Sequence, residues 1–280
     1  MSRSTRAFAV LLVVLLSITA CSSNDTPGTA RRAAEPNEPP IRPSLPFDEY
    51  RNDSLAFTTR LAQDRLIRAC MGRRGVAWDP PPISAQDANP EFRRYGLMDP
   101  TVAGTFGYHL PIDAARERRN RYFLHDVTAK QREALEGSEE QKGCRQKSDS
   151  ILHRGVSKTK RVLLFGLGGR SLDAAEESPD VQKAKRQWSA CMRTRGYRYT
   201  GPEQAQRDAR WNLDSPRISK TERAVATADV SCKEKVSLIT VWAVAEADVQ
   251  RGLIAKYAKE LEKIRKANAI LRVNVTRALG

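Results

Sequence analysis

The sequence writes one cysteine-centred phrase twice, and that duplication limits the folds open to it. Ala69-Cys70-Met71-Gly72-Arg73-Arg74-Gly75 and Ala190-Cys191-Met192-Arg193-Thr194-Arg195-Gly196 share five of seven positions. The likeness continues downstream, where Trp78 and Tyr199 stand at one offset from their cysteines and Pro81 and Pro202 at another. A second echo follows in each half, Cys144-Arg145-Gln146-Lys147 and Cys232-Lys233-Glu234-Lys235. Two diverged copies of one cysteine-pinned helical unit account for all four positions.

Residues 1–20 read as a leader rather than as part of the fold. Arg3 and Arg6 precede the apolar run Ala7 to Ile18, which is too short to span a bilayer. Ile18-Thr19-Ala20-Cys21 resembles the lipobox of bacterial lipoproteins. That resemblance implies a Cys21 thiol carrying diacylglycerol, a mature N-terminus at Cys21, and attachment to membrane lipid without a spanning helix. Residues 21–47 carry Pro27, Pro36, Pro39, Pro40, Pro43 and Pro46 among small polar residues. Such a stretch has too little apolar surface to offset the entropy of ordering, so it reads as a disordered, extended tether.

Export places the remaining cysteines in an oxidising compartment, where an even number favours disulfides. If each unit is self-contained, the bonds are Cys70–Cys144 and Cys191–Cys232. Pairing across the repeats, Cys70–Cys191 with Cys144–Cys232, is the rival. No C-x-x-C spacing supports a metal site, and no cofactor is expected.

The first helix of unit one (48–155) is expected from Asp53 or Ser54 to Arg74, with Gly75 beyond its end. Unit two (179–240) repeats the design, its helix opening at Pro179 and closing at Gly196-Tyr197. The units differ between their cysteines: 73 residues intervene in unit one and 40 in unit two. Most of the excess falls at 83–125, rich in aromatics and holding His109 and His125. Arg93, Arg94, Tyr95, Tyr108 and His109 are the candidate binding surface there, because insertions on an economical scaffold often carry function. The competing reading is a loop-and-helix excursion that patches the core. Asp99-Pro100 reads as an N-cap and first turn, and Thr128 to Gln131 as a capping box.

Residues 156–178 read as a flexible connector. Arg161 to Phe165 leads into Gly166-Leu167-Gly168-Gly169, but neither P-loop lysine nor dinucleotide glycine spacing is present. The region 241–280 is an amphipathic helical extension. Trp242, Val249, Leu253, Tyr257, Leu261, Ile264, Leu271 and Val275 recur at helical steps, with charged residues between them on a solvated face. Continuous helix from 221 to 278 would measure roughly 85 Å; a fold back near Gly252 is the alternative. A projecting stripe would invite self-association.

Lys plus Arg total 48 against 33 Asp plus Glu, a net +15, which becomes +13 without Arg3 and Arg6. Outside the cell such a charge faces lipid headgroups and phosphate-bearing wall polymers rather than nucleic acid. Chemistry is sparse. Glu139-Glu140 and Glu176-Glu177 are sequence neighbours that diverge on a helix, and no serine accompanies His125-Asp126 or His153 in a nucleophile elbow. No catalytic residue is assigned.

Gln187-Trp188-Ser189-Ala190-Cys191-Met192 with Arg195-Gly196-Tyr197 resembles a motif of secreted lipoproteins of high-GC Gram-positive bacteria, which share the lipobox, the Pro-rich tether and paired cysteine helices. Ile67 stands at the tryptophan position in unit one. The resemblance implies a protein lipid-anchored on the extracytoplasmic face of the cell membrane and brings no activity with it. With the mostly α, disulfide-stapled architecture read from the repeat, a binding or adaptor module is the expectation. Its partner would be an anionic wall polymer or a membrane protein. An envelope hydrolase or a self-associating structural protein is the alternative.

Overall fold

The computed structural model describes residues 43–84, 93–158 and 161–280. The leader, Cys21 and residues 22–42 of the expected tether lie outside them, and the described residues belong to one compact unit. Among these residues the regular elements are helical, with one isolated bridge between Gly137 and Lys142. The helices are α1 (Asp48–Arg51), α2 (Asp53–Arg73), α3 (Pro100–Phe106), α4 (Ala114–Arg121), α5 (Ala129–Glu136) and α6 (Cys144–Leu152). They continue with α7 (Arg161–Glu176), α8 (Pro179–Thr194), α9 (Pro202–Gln206), α10 (Lys220–Lys235), α11 (Leu238–Lys256) and α12 (Ala258–Leu279). A π-helical turn, Tyr122–Asp126, prolongs α4.

Both cysteine helices end in the same way. Val76 N–H bonds to Met71 O at 3.1 Å and Gly75 N–H to Gly72 O at 3.0 Å. Tyr197 N–H bonds to Met192 O and Gly196 N–H to Arg193 O, each at 3.0 Å. This is the Schellman pattern, which needs a left-handed residue just past the helix. Gly75 (φ 64°) and Gly196 (φ 86°) supply it. The methionine after each cysteine is fully buried.

The bonds are Cys70–Cys144 and Cys191–Cys232, with Cα separations of 5.7 and 5.8 Å. One staples α2 to α6 and the other α8 to α10. Each unit then packs on one half of a bent spine. At Tyr257 the ladder runs through the bend, from Tyr257 N–H to Leu253 O (2.9 Å) and from Leu261 N–H to Tyr257 O (3.0 Å). α11 lies on α7 and α8, whereas α12 lies on α2, α6 and α1.

Four expectations change here. The C-terminal quarter is neither one straight helix nor a hairpin at Gly252. Ser237 (φ 53°) ends α10, Tyr257 bends the spine, and Gly252 sits inside α11. The apolar stripe of α12 does not project, for Leu261, Ile264, Ala267, Leu271 and Val275 are buried within the chain. The folded body includes the last residues of the expected tether, with Leu45 and Phe47 buried. The 156–178 connector is not a flexible link, because it carries the four-turn helix α7. Each internal glycine there costs about 1 kcal/mol relative to alanine, and burial of Leu164 and Leu167 with Phe47, Leu261 and Ile264 offsets it.

The bridges close loops with sequence separations of 74 and 41 residues, so chain entropy predicts about 4 kcal/mol from each. Replacing Cys191 and Cys232 together by serine should lower the unfolding free energy in urea by about that amount, leaving Cys70–Cys144 intact in a non-reducing peptide map.

Candidate functional site

Of the five residues expected to form a binding surface at 83–125, four have interior side chains and Arg93 is half-buried. Tyr95, Tyr108 and His109 are buried, and the Arg94 side chain is 5% exposed. The reason is packing. Tyr95, Leu97, Ala103 and Tyr108 join the core that holds Trp188, Met192 and the second disulfide. α3 lies against α10, where the buried Ala226 stands on the same face as Glu222 and Asp229. Gly107 (φ 57°) completes the fit, since a Cβ there would stand 2.4 Å from Glu222 Oε1.

The polar atoms of these residues point at buried charges on α10 and α11. Arg94 Nε donates to Glu246 Oε2 at 2.9 Å, and its Nη2 donates to Gly168 O at 2.7 Å. Tyr95 Oη (2.7 Å), Ser171 Oγ (2.7 Å) and Gln250 Nε2 (2.8 Å) also donate to the Glu246 carboxylate. Burial alone would push that carboxyl up. The hydrogen bonds and charge of Arg94, with those from Ser171 and Tyr95, hold it below its ordinary value. Burial, reinforced by Glu246, raises the Tyr95 phenol far out of its normal range, so it stays a donor.

Arg93 caps the loop after α3, its guanidinium donating to Tyr108 O (2.5 Å) and His109 O (2.7 Å). Tyr108 N–H donates to Glu222 Oε1 at 2.8 Å, and the same oxygen lies 2.8 Å from His109 Nδ1. His109 Nε2 faces Ser215 O at 2.8 Å. Both ring nitrogens are thus committed to protein oxygens. Further along α10, Asp229 accepts from Trp188 Nε1 (3.0 Å) and Lys233 Nζ (2.9 Å). Burial pushes the Asp229 carboxyl up despite those donors. Each of these acids and bases is occupied in joining helices.

Glu222, Asp229 and Lys233 escaped the sequence reading because charges were placed on the solvated face. Their spacing of seven and four was the available signal, for it repeats the phase of Val225, Ala226 and Cys232. Glu246 and Gln250 stand likewise one turn apart, in step with Trp242.

The open sites lie elsewhere. A cleft of about 420 Å³ is bounded by α2, residues 78–84, α4, the π turn, α5 and α6. Arg60, Arg116, Arg119, Arg132 and Arg145 line it against two carboxylates, Asp64 and Glu136. Asp64 receives Arg119 at 2.6 Å and Arg68 at 2.9 Å, and Glu136 receives Arg145 at 3.0 Å. Trp78 and Phe123 give the cleft an aromatic wall, their rings 5.8 Å apart edge to face, and Arg119 lies over Phe123. The Cys70–Cys144 bond ties α2 to α6, which both contribute to the lining, so two of its walls are joined covalently. A second, wider depression of about 770 Å³ borders the Gly196 turn and α9. There Asp208 binds Arg210 and the Tyr199 hydroxyl, at 2.6 and 2.8 Å. The Arg210 contact, chiefly, holds the Asp208 carboxyl far below its usual range, and burial with Asp208 pushes Tyr199 up to about 12.

Among the described residues, no three His, Cys, Asp or Glu side chains gather as metal ligands, and no helix is long and apolar enough to cross a membrane. Comparison with protein-family models, curated proteins and solved structures returned no match.

Breaking the Arg94–Glu246 pair leaves a buried charge, so Arg94→Met should cost about 3–5 kcal/mol in urea unfolding. Adding Glu246→Gln should recover a large part, since the amide still accepts from Tyr95 and Ser171 without a charge. The depressed Glu246 carboxyl stabilises the fold above the ordinary glutamate value of 4.5, and that contribution is lost as pH falls through the lower folded value. The acid limb of a stability-versus-pH curve should therefore flatten in the double variant.

Proposed function

We propose that this chain is a membrane-anchored, extracytoplasmic binding module, lipidated at Cys21, whose ligand is an anionic polymer of the cell envelope held in the arginine cleft of unit one. The observation that carries the reading is the cleft itself. It gathers five arginines and only two carboxylates beside an aromatic wall, on a frame stapled by a disulfide. Guanidinium groups match the geometry of phosphate and carboxylate oxygens. Trp78 and Phe123 offer flat apolar faces to the carbon skeleton between charges. The net positive charge of the chain would draw such a polymer toward the protein from a distance. An adaptor reading gains from the buried acids and bases, which are engaged with one another rather than turned toward an open cavity.

Two experiments test it. Mass spectrometry of the membrane-extracted protein should find diacylglycerol on Cys21, and Cys21→Ser should release it from the membrane fraction. Soluble poly(glycerol phosphate) should bind with an affinity that drops as salt rises. Arg60→Gln and Arg132→Gln should each weaken it roughly tenfold, equivalent to about 1.4 kcal/mol. Equal binding by wild type and both variants would sink the assignment of the cleft.

A further inference from the structure

The two most exposed large apolar side chains among the described residues stand three positions apart on one helix. Val162 is 85% and Phe165 79% exposed, both in the first two turns of α7. Gly166 and Gly169 continue the same face, and a Cβ at either would meet open space. The opposite face of those turns is core, for Leu164 and Leu167 are buried against Phe47. Phe47 lies where the described chain begins. Its N–H donates to Gln250 Oε1 at 2.8 Å, which fastens the inner end of the tether to the body at α7 and α11. The tether therefore meets the body against the inner face of the turns that present Val162 and Phe165 outward, about one helix diameter away.

Charge follows the same pattern. From Lys158 to Leu172 the sequence holds basic residues and no acid. Lys158 and Arg170 are exposed. A protruding apolar pair flanked by cations is the arrangement by which helices seat shallowly in the headgroup region of a bilayer.

We infer that the start of α7 is a membrane-docking face, which inserts Val162 and Phe165 among anionic lipid headgroups and turns the body's tether side toward the bilayer. This rests on the anchored reading above for its local concentration, because a tethered surface docks intramolecularly and needs little affinity of its own. Docking in this orientation converts a loose leash into a seated body.

The test uses the full chain recovered from membranes and reconstituted in vesicles with brominated acyl chains. Phe165→Trp places a reporter at an exposed position without disturbing the core. In phosphatidylcholine vesicles containing phosphatidylglycerol, it should add tryptophan emission that bromine quenches and that wild type lacks. Quenching should vanish when Val162→Glu is added. Lys158→Gln should lower the ratio of quenched to unquenched reporter roughly fivefold, the effect of one surface cation. A reporter that stays unquenched, or is quenched equally without phosphatidylglycerol, overturns the proposal. So does a reporter already shielded in vesicle-free buffer, which would mean that residues 1–42 or a second copy cover the face. Mass spectrometry of Cys21 on the same preparation separates the readings. Acylated protein with an unquenched reporter loses the docking face alone, and unacylated protein with a quenched reporter loses only the anchor.

Discussion

The Glu246 carboxylate is the interaction on which the arrangement of helices depends. It is fully buried and gathers donors from three parts of the chain: Arg94 and Tyr95 before α3, Ser171 on α7, and Gln250 one turn along α11. Gln250 in turn accepts from Phe47, so the entry of the chain into the body belongs to the same network. A buried carboxylate is tolerated only when such donors surround it. Its stringency makes it a register device, since a slip of α7 against α11 would take the Ser171 hydroxyl from Glu246 and the Gly168 carbonyl from Arg94.

Two covalent staples and a bent spine divide the remaining work. Each disulfide joins the repeated Cys-Met helix of its unit to a second helix, and α11 and α12 present separate surfaces to the two units. Unit two is the heavier core because the insertion supplies Tyr95, Leu97 and Tyr108 to it. Unit one keeps a smaller core of Ile67, Met71, Val76 and Leu135 around its bridge. That economy leaves its helices apart on one side, and the gap between them is the arginine cleft.

Much of the frame was legible in the repeated phrase. The within-unit disulfides, the Gly75 and Gly196 helix ends, the Asp99 cap and the Thr128–Gln131 capping box all follow from residues within a few positions of one another, apart from the bridges, and the repeat ranked those. The candidate site was not legible. Arg93, Arg94, Tyr95, Tyr108 and His109 stood out as chemically rich, and the fold uses that richness internally. Arg94 meets Glu246 at a separation of 152 residues and His109 meets Glu222 at 113. The cleft arginines, by contrast, come from four helices, with Arg116 and Arg119 on α4 and one each on α2, α5 and α6, so no local pattern joined them.

By itself, the sequence determined the helical class and the local punctuation of the helices, because these rest on periodicity, φ preference and capping groups close along the chain. For the cysteines the repeat favoured the within-unit pairing and left one rival, which the tertiary structure decided. Tertiary structure decided which charges would be buried. Glu222, Asp229, Lys233 and Glu246 carry the same chemistry as exposed neighbours such as Glu234 and Lys235, and the apolar phase they share with Val225, Cys232 or Trp242 names no partner for a charge. What separates them is the partner across the helix interface, and desolvation acts on whatever meets there. Tertiary structure likewise turned a glycine-rich connector into α7, because leucines that bind nothing locally found Phe47, Leu261 and Ile264 at the end of the spine.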